Sequence, residues 1–175
     1  MSHNQSLIAE LRMEAANTRK MLERVPTDNN DWKPHGKSMK IGNLANHIAE
    51  LPTWAPMTMH TDELDLSKMD YKPVISASTE ELLAKLDANV DKAIEALEQA
   101  KDEDFDKMWT LRNGEHVIFT MPKKVVLRSV VFSHMYHHRG QLSVYLRLLD
   151  IPVPGMYGPS YDDIPAPAEL EPSVN

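Results

Sequence analysis

The chain has 175 residues, with 19 Lys and Arg residues against 26 Asp and Glu residues, so its formal net charge is −7. This acidic balance argues against nucleic acid as a partner, because phosphate backbones attract basic surfaces. The absence of cysteine excludes disulfides, thiolate catalysis by the protein itself and cysteine-ligated metal sites. Any metal ion must therefore be held by His, Asp or Glu side chains.

The first ten residues, MSHNQSLIAE, lack the basic head and the apolar core of a signal peptide. No apolar run reaches the roughly 20 residues needed to cross a bilayer. We therefore expect a cytoplasmic protein with no membrane partner. The length suits one domain with a substantial core. We place that domain at residues 1–165 and expect residues 166–175 to form a flexible tail.

Two helices are predicted in the first third of the chain. Apolar residues at helical spacing predict the first one over residues 4–24. A loop rich in Pro, Asn and Gly follows, and Ser38 is the expected N-cap of a second helix that carries His47. Pro52 and Pro56 should kink this helix or end it, because proline has no backbone N–H to donate.

The second half of the chain predicts two longer helices with a hairpin between them. Ser78 begins a capping-box pattern followed by an apolar stripe, which predicts a third helix. The Asn-Gly pair at 113–114 predicts a small β-hairpin over about residues 108–120. The last helix should span residues 122–149, with proline in its first turn. These elements predict an all-α protein, a four-helix bundle with a small β-hairpin before the last long helix.

The last helix contains FSHMYHHRGQ, in which three of ten residues are histidines. Each residue advances a helix by about 100°, so residues four apart share a face. His134 and His138 are therefore expected to face the core together, whereas His137 falls about 60° away, at the edge of that face or outside it. The same angle per residue places three further residues on this face, namely Leu127, Gln141 and Tyr145.

Two explanations are open for this histidine pair. Histidines at i and i+4 commonly present two nitrogens to one metal ion, but they can equally form a hydrogen-bonded pair inside a bundle. His47 has apolar neighbours at helical spacing and should also face inward. Alone, it would more often be a hydrogen-bonded core residue than a ligand. Burying three unpaired imidazoles is costly, and a divalent cation would satisfy all three.

Other residues near these positions have weaker functional signals. Gln141 is a candidate for orienting a ligand, although a hydrogen bond to helix backbone would explain it equally well. Trp54 could form a pocket wall or pack in the core, and Tyr157 could cap the pocket if the C-terminal segment folds back. Arg139 is expected to form a salt bridge rather than to clamp a substrate. Surface positions are expected for the remaining histidines, namely His3, His35, His60 and His116.

Three segments together resemble one known family. These segments are IGNLANHIAEL at 41–51, HMYHHRGQLSVYLRLL at 134–149 and VPGMYGPSYDD at 153–163. In this combination and order they are similar to the DinB-like family, also called the DinB/YfiT-like metalloenzymes. The resemblance implies a four-helix bundle with up-down-down-up connectivity, and often a homodimer.

The resemblance also implies a divalent metal ion, usually zinc or nickel, held by His47, His134 and His138. Relatives with assigned activity include transferases of low-molecular-weight thiols such as bacillithiol, mycothiol and glutathione. Our first hypothesis is thus a thiol S-transferase acting on a small-molecule thiol and an electrophilic substrate. Two alternatives are a metal-dependent hydrolase that uses bound hydroxide and a non-catalytic metal-binding protein of a stress response.

Overall fold

Helices form most of the chain in the computed structural model, which describes residues 2–164. The tail predicted at 166–175 lies outside the described residues, and the single-domain extent of 1–165 stays a prediction. The helices are α1 (His3–Leu22), α2 (Ile41–Glu50), α3 (Trp54–His60), α4 (Thr79–Gln99), α5 (Lys123–Val126) and α6 (His134–Leu148). The strands are β1 (Glu63–Asp65), β2 (Met108–Asn113) and β3 (His116–Pro122).

The start of α2 differs from the prediction. Its N-cap is Lys40 rather than Ser38, and no side chain caps it. The backbone N–H of Ile41 donates instead to the carbonyl of Trp32 at 2.8 Å. The carbonyl of the loop residue Trp32 thus takes the place that the Ser38 side chain was expected to have as acceptor for the first turn.

The predicted proline break and the predicted cap of the third helix are confirmed. Helix α2 ends at Glu50, and Pro52 lies in a short 3₁₀ turn that connects α2 to α3. The side chain of Ser78 accepts from the backbone N–H of Glu81 at 3.2 Å at the start of α4. The buried residues of α4 follow the helical period, which packs this helix against its neighbours.

The chain is mostly helical but not all-α, because it also contains a three-stranded sheet in the order β1-β2-β3. The predicted hairpin is confirmed: β2 and β3 are antiparallel, and Asn113 lies opposite His116. Gly114 adopts φ +60° in the connection, which residues with a Cβ rarely adopt. Strand β1, which pairs in parallel with β2, was not predicted, since three residues are too few to show alternation.

The last helix is interrupted, and this corrects the predicted histidine face. Between α5 and α6, residues Leu127–Ser133 form a π-helix, so an angle of 100° per residue does not hold across it. His134 and His138 are half-buried and lie at the edge of the core-facing side rather than at its centre. The centre of that side consists of Met135, Arg139, Leu142 and Leu146.

Packing of the helices brings α2 and α6 side by side. Helix α4 contacts α1, α2 and α3, and α6 contacts α1 and α2. One hydrophobic core extends through these contacts, while a smaller one, around the fully buried Trp109, lies beneath the sheet. The up-down-down-up connectivity stays a prediction. None of the helices within residues 2–164 combines the length and hydropathy needed to span a membrane.

Candidate metal centre

Three histidines meet where α2 and α6 pack together. The Nε2 atom of His134 lies 2.8 Å from Nε2 of His138 and 3.4 Å from Nε2 of His47. One ring nitrogen from each residue lies within 4.8 Å of the other two. His137 is exposed and is not in this group. The structure therefore brings together the three residues that the sequence singled out.

Hydrogen bonds orient the two rings of α6. Oε1 of Gln141 lies 2.8 Å from Nδ1 of His138, and His134 bonds the backbone of Val130 in the π-helix. Because a carbonyl oxygen can only accept, each of these bonds uses the single N–H of a neutral imidazole. The remaining lone pairs, on the two Nε2 atoms, then face each other at 2.8 Å. Such an arrangement is repulsive in itself and favours a cation between the nitrogens.

The surroundings keep all three imidazoles neutral at pH 7. Burial is the largest cause that lowers the pKa of His47, His134 and His138. For His47 the pKa falls to about 4, because the neighbouring imidazoles His138 and His134 also disfavour a positive charge there. Neutral imidazole is the form that binds a metal ion, so these residues are in the protonation state required of ligands.

The donor set fits a divalent transition-metal ion. Nitrogen ligands lie about 2.0–2.1 Å from zinc, which separates two ligands of one ion by about 2.9 Å at a right angle and about 3.3 Å at a tetrahedral angle. The observed Nε2 separations of 2.8 and 3.4 Å match this spacing. The three histidines could thus hold one metal ion. Three nitrogen ligands leave a coordination position open, as in catalytic rather than structural sites.

A cavity of about 310 Å³ adjoins the cluster, and His47 forms part of its wall. Trp54 is partly buried, as the sequence allowed, and both lines the cavity and packs edge-on against Trp109 with ring centres 6.3 Å apart. The cavity is therefore open to a ligand that also reaches the histidines. Its other lining residues are Glu50, Leu51, Thr53, Met57, Leu66, Met69 and Tyr71.

The remaining sequence candidates lie elsewhere. The salt bridge expected for Arg139 is confirmed, since its Nη2 lies 2.6 Å from Oε2 of Glu14 and both side chains are almost fully buried. Tyr157 bonds this pair through its hydroxyl and, in the described part of the chain, does not line the cavity. Exposed positions are confirmed for His3, His35, His60 and His116.

Sequence reasoning missed a polar group in the cavity wall, centred on Glu50. Glu50 bonds the Tyr71 hydroxyl at 2.6 Å and the Lys85 ammonium at 3.2 Å. One signal was available for Glu50, which lies one helical turn after His47 and therefore shares its face. Tyr71 and Lys85 come from a loop and from α4, and nothing in their local sequence indicates this meeting.

The fold and the site together define a mostly helical protein with a candidate three-histidine metal centre between two packed helices. The sequence profile of the DinB family matches residues 1–170, and the chain belongs to this family.

Two solved structures show the same fold. A DinB-like protein from Bacillus cereus is 21% identical with a TM-score of 0.65, covering 87% of this chain and 97% of that one. YjoA, a DinB-like protein from Bacillus subtilis, is 18% identical with a TM-score of 0.65, covering 85% and 96%. Among curated proteins, none matches the chain.

Proposed function

We propose that this protein is a metal-dependent thiol S-transferase in which His47, His134 and His138 hold zinc or nickel. The observation that carries the proposal is the convergence of three neutral imidazole nitrogens beside a cavity of about 310 Å³. When bound, the ion would supply an open position at which a small-molecule thiol loses its proton more readily.

The chain's own residues would orient the reactants. Gln141 and the Val130 backbone fix the ring orientations of His138 and His134, which keeps their Nε2 lone pairs directed at one point. The chain has no cysteine, so the reacting sulfur belongs to the thiol substrate. That sulfur forms a bond to an electrophilic carbon, the leaving group departs with its electron pair, and the thiol proton passes to solvent.

The resemblance to the family supports the setting of this activity. We propose one domain over residues 1–165, a four-helix bundle with up-down-down-up connectivity, and a cytoplasmic homodimer. Size-exclusion chromatography with light scattering tests the dimer, because a single peak at the mass of one chain, 19.9 kDa, would contradict it.

A cobalt-substituted sample tests the proposed activity directly. Thiolate bound to cobalt gives an intense charge-transfer band that hydroxide does not give. We expect this band on titration with at least one of glutathione, bacillithiol or mycothiol, and thioether formation when an electrophile such as 1-chloro-2,4-dinitrobenzene is added. His134→Ala should abolish both signals, whereas His137→Ala should keep both. Ester hydrolysis without the band would instead favour a hydrolase, and neither activity would favour a non-catalytic metal-binding protein.

A further inference from the structure

The cavity beside His47 has apolar walls and one polar end. Within residues 2–164, Glu50 is the one acidic or basic side chain that lines it, since His47 is neutral at pH 7. The other polar side-chain groups in the wall are the hydroxyls of Thr53 and Tyr71, the indole N–H of Trp54 and the His47 ring. The apolar part of the wall consists of Leu51, Met57, Leu66, Met69 and the ring face of Trp54.

The hydroxyl groups of Thr53 and Tyr71 each donate their single O–H to Glu50. Thr53 Oγ1 donates to the backbone carbonyl of Glu50 at 2.7 Å, and the Tyr71 hydroxyl donates to Oε2 of Glu50 at 2.6 Å. Burial, followed by the bond to Glu50, raises the pKa of Tyr71 to about 12, so the phenol keeps its proton. Each hydroxyl has one O–H, so both present only acceptor lone pairs to a ligand.

The Lys85 ammonium group, which contacts Glu50, also donates all of its N–H groups within the protein. Lys85 Nζ carries three N–H groups, and it donates to Glu50 Oε1 at 3.2 Å, Asn46 Oδ1 at 2.7 Å and the Val74 carbonyl at 2.7 Å. An incoming anion would have to break one of these bonds to reach a cationic donor. Lys85 therefore holds Glu50 in place and does not offer a binding site for a carboxylate.

Glu50 itself keeps unused acceptor capacity. An ionised carboxylate accepts at about four lone-pair positions, and Lys85 and Tyr71 each occupy one. The polar end of the cavity thus presents acceptors from Glu50, Thr53 and Tyr71. A ligand that satisfies it must bring hydrogen-bond donors, and a ligand carboxylate would face like charge and acceptor lone pairs.

We propose that this cavity binds a substrate group that is apolar and carries an amine or ammonium donor, and that Glu50 selects for it. Trp54 supplies an aromatic face on which such a group packs, with cation–π attraction when the group is charged. The inference rests on the proposed function in treating the cavity as its substrate pocket. It specifies the class of one substrate: an apolar amine rather than an apolar acid.

Matched probes test the selection without any turnover. Phenethylamine, 3-phenylpropionate and 2-phenylethanol share one apolar body and differ in the polar end. Isothermal titration uses the full-length chain in zinc-loaded and in chelator-treated form, which separates cavity binding from coordination of an ion. We expect the amine to bind about tenfold more tightly than the acid in both forms, with the alcohol between them, as for one charge-assisted hydrogen bond.

Two variants assign the preference to Glu50. E50Q keeps an oxygen for Tyr71 or Lys85 and brings an amide N–H into the cavity, so the preference for amine over acid should disappear. D91N removes one negative charge from the exposed surface of α4 and should leave the preference unchanged. Thermal melting establishes that each variant is folded.

Equal or tighter binding of the acid by the wild-type chain would overturn the inference, even if E50Q did not fold. So would a tenfold preference that persists in folded E50Q. Because neither a thiol nor an electrophile is present, these outcomes are independent of whether the protein proves to be a thiol transferase.

Discussion

Two polar clusters are centred on adjacent residues of α6, Arg139 and His138, and they differ in how their polar groups are paired. Arg139 is 4% exposed and donates to the Glu14 carboxylate, the Glu14 carbonyl and the Thr18 hydroxyl. Tyr157 joins the same cluster from the C-terminal segment. One residue earlier, His138 is half-buried and directs Nε2 at His134, another neutral imidazole.

The difference separates a structural cluster from a candidate metal site. The Arg139 cluster pairs opposite charges, so its desolvation is compensated within the protein. The histidine cluster contains acceptor nitrogens of one kind that converge on one point and have no opposite charge among them. Its imidazole N–H groups donate to Gln141 and to the Val130 backbone, and these bonds fix the ring orientations. We interpret the first cluster as stabilising the fold and the second as binding a cation.

The largest effect is expected from breaking the structural cluster. Arg139→Met leaves the Glu14 carboxylate buried without its partner, which should lower the free energy of unfolding by about 3–5 kcal/mol. Urea denaturation measures this change. The double variant Glu14→Met with Arg139→Met removes both charges and should recover most of the loss. Equal destabilisation by the single and double variants would contradict this account.

Removing a histidine of the candidate metal site should lower the affinity for zinc strongly and change the free energy of unfolding only slightly. Loss of one of three ligands in His134→Ala should weaken zinc affinity by about a hundredfold or more, since each 1.4 kcal/mol of lost coordination is tenfold. The free energy of unfolding of the metal-free chain should change by less than about 1 kcal/mol, because the variant also removes facing lone pairs. Competition with a chromophoric chelator measures the affinity.

The neighbouring His137→Ala variant is the matched control, since His137 is exposed and outside the cluster. It should bind zinc with wild-type affinity. Equal loss of affinity in both variants would show that α6 binds metal through a different set of histidines.

Local sequence predicted what depends on local chemistry. The Asn113-Gly114 turn, the Ser78 cap and the break at Pro52 are each determined by a few adjacent residues, and all three are present in the structure. The spacing of His134 and His138 similarly predicted that they meet, because both lie within the regular helix α6.

Features that depend on tertiary contacts were not predictable in the same way. The π-helix before His134 changes the rotation about the helix axis that relates residues of α5 to residues of α6. No pattern in Leu127–Ser133 indicates this π-helix. Burial of Arg139 depends on Glu14, 125 positions earlier in the chain. The helical-wheel prediction therefore placed the histidines at the centre of the buried face. In the structure, Arg139 lies at that centre because it pairs with Glu14.

The smallest effect concerns the pH dependence of stability that the histidine cluster causes. His47 has a pKa of about 4 in the folded chain against an ordinary value of 6.5. Between these values the unfolded chain binds more protons, so the metal-free protein should lose stability as pH falls from 6.5 towards 4. Because His47 is only half-buried, its share should be below about 1.4 kcal/mol per pH unit, the limit for one proton.

Urea denaturation of the metal-free protein at several pH values from 4 to 7 measures this slope. His47→Gln should make it shallower, whereas His116→Gln, at an exposed position of β3, should leave it unchanged. Zinc should steepen the wild-type slope, because protons and metal compete for the same imidazole nitrogens. An identical slope in wild type and His47→Gln, with and without zinc, would mean that the histidine cluster neither titrates on unfolding nor binds the ion.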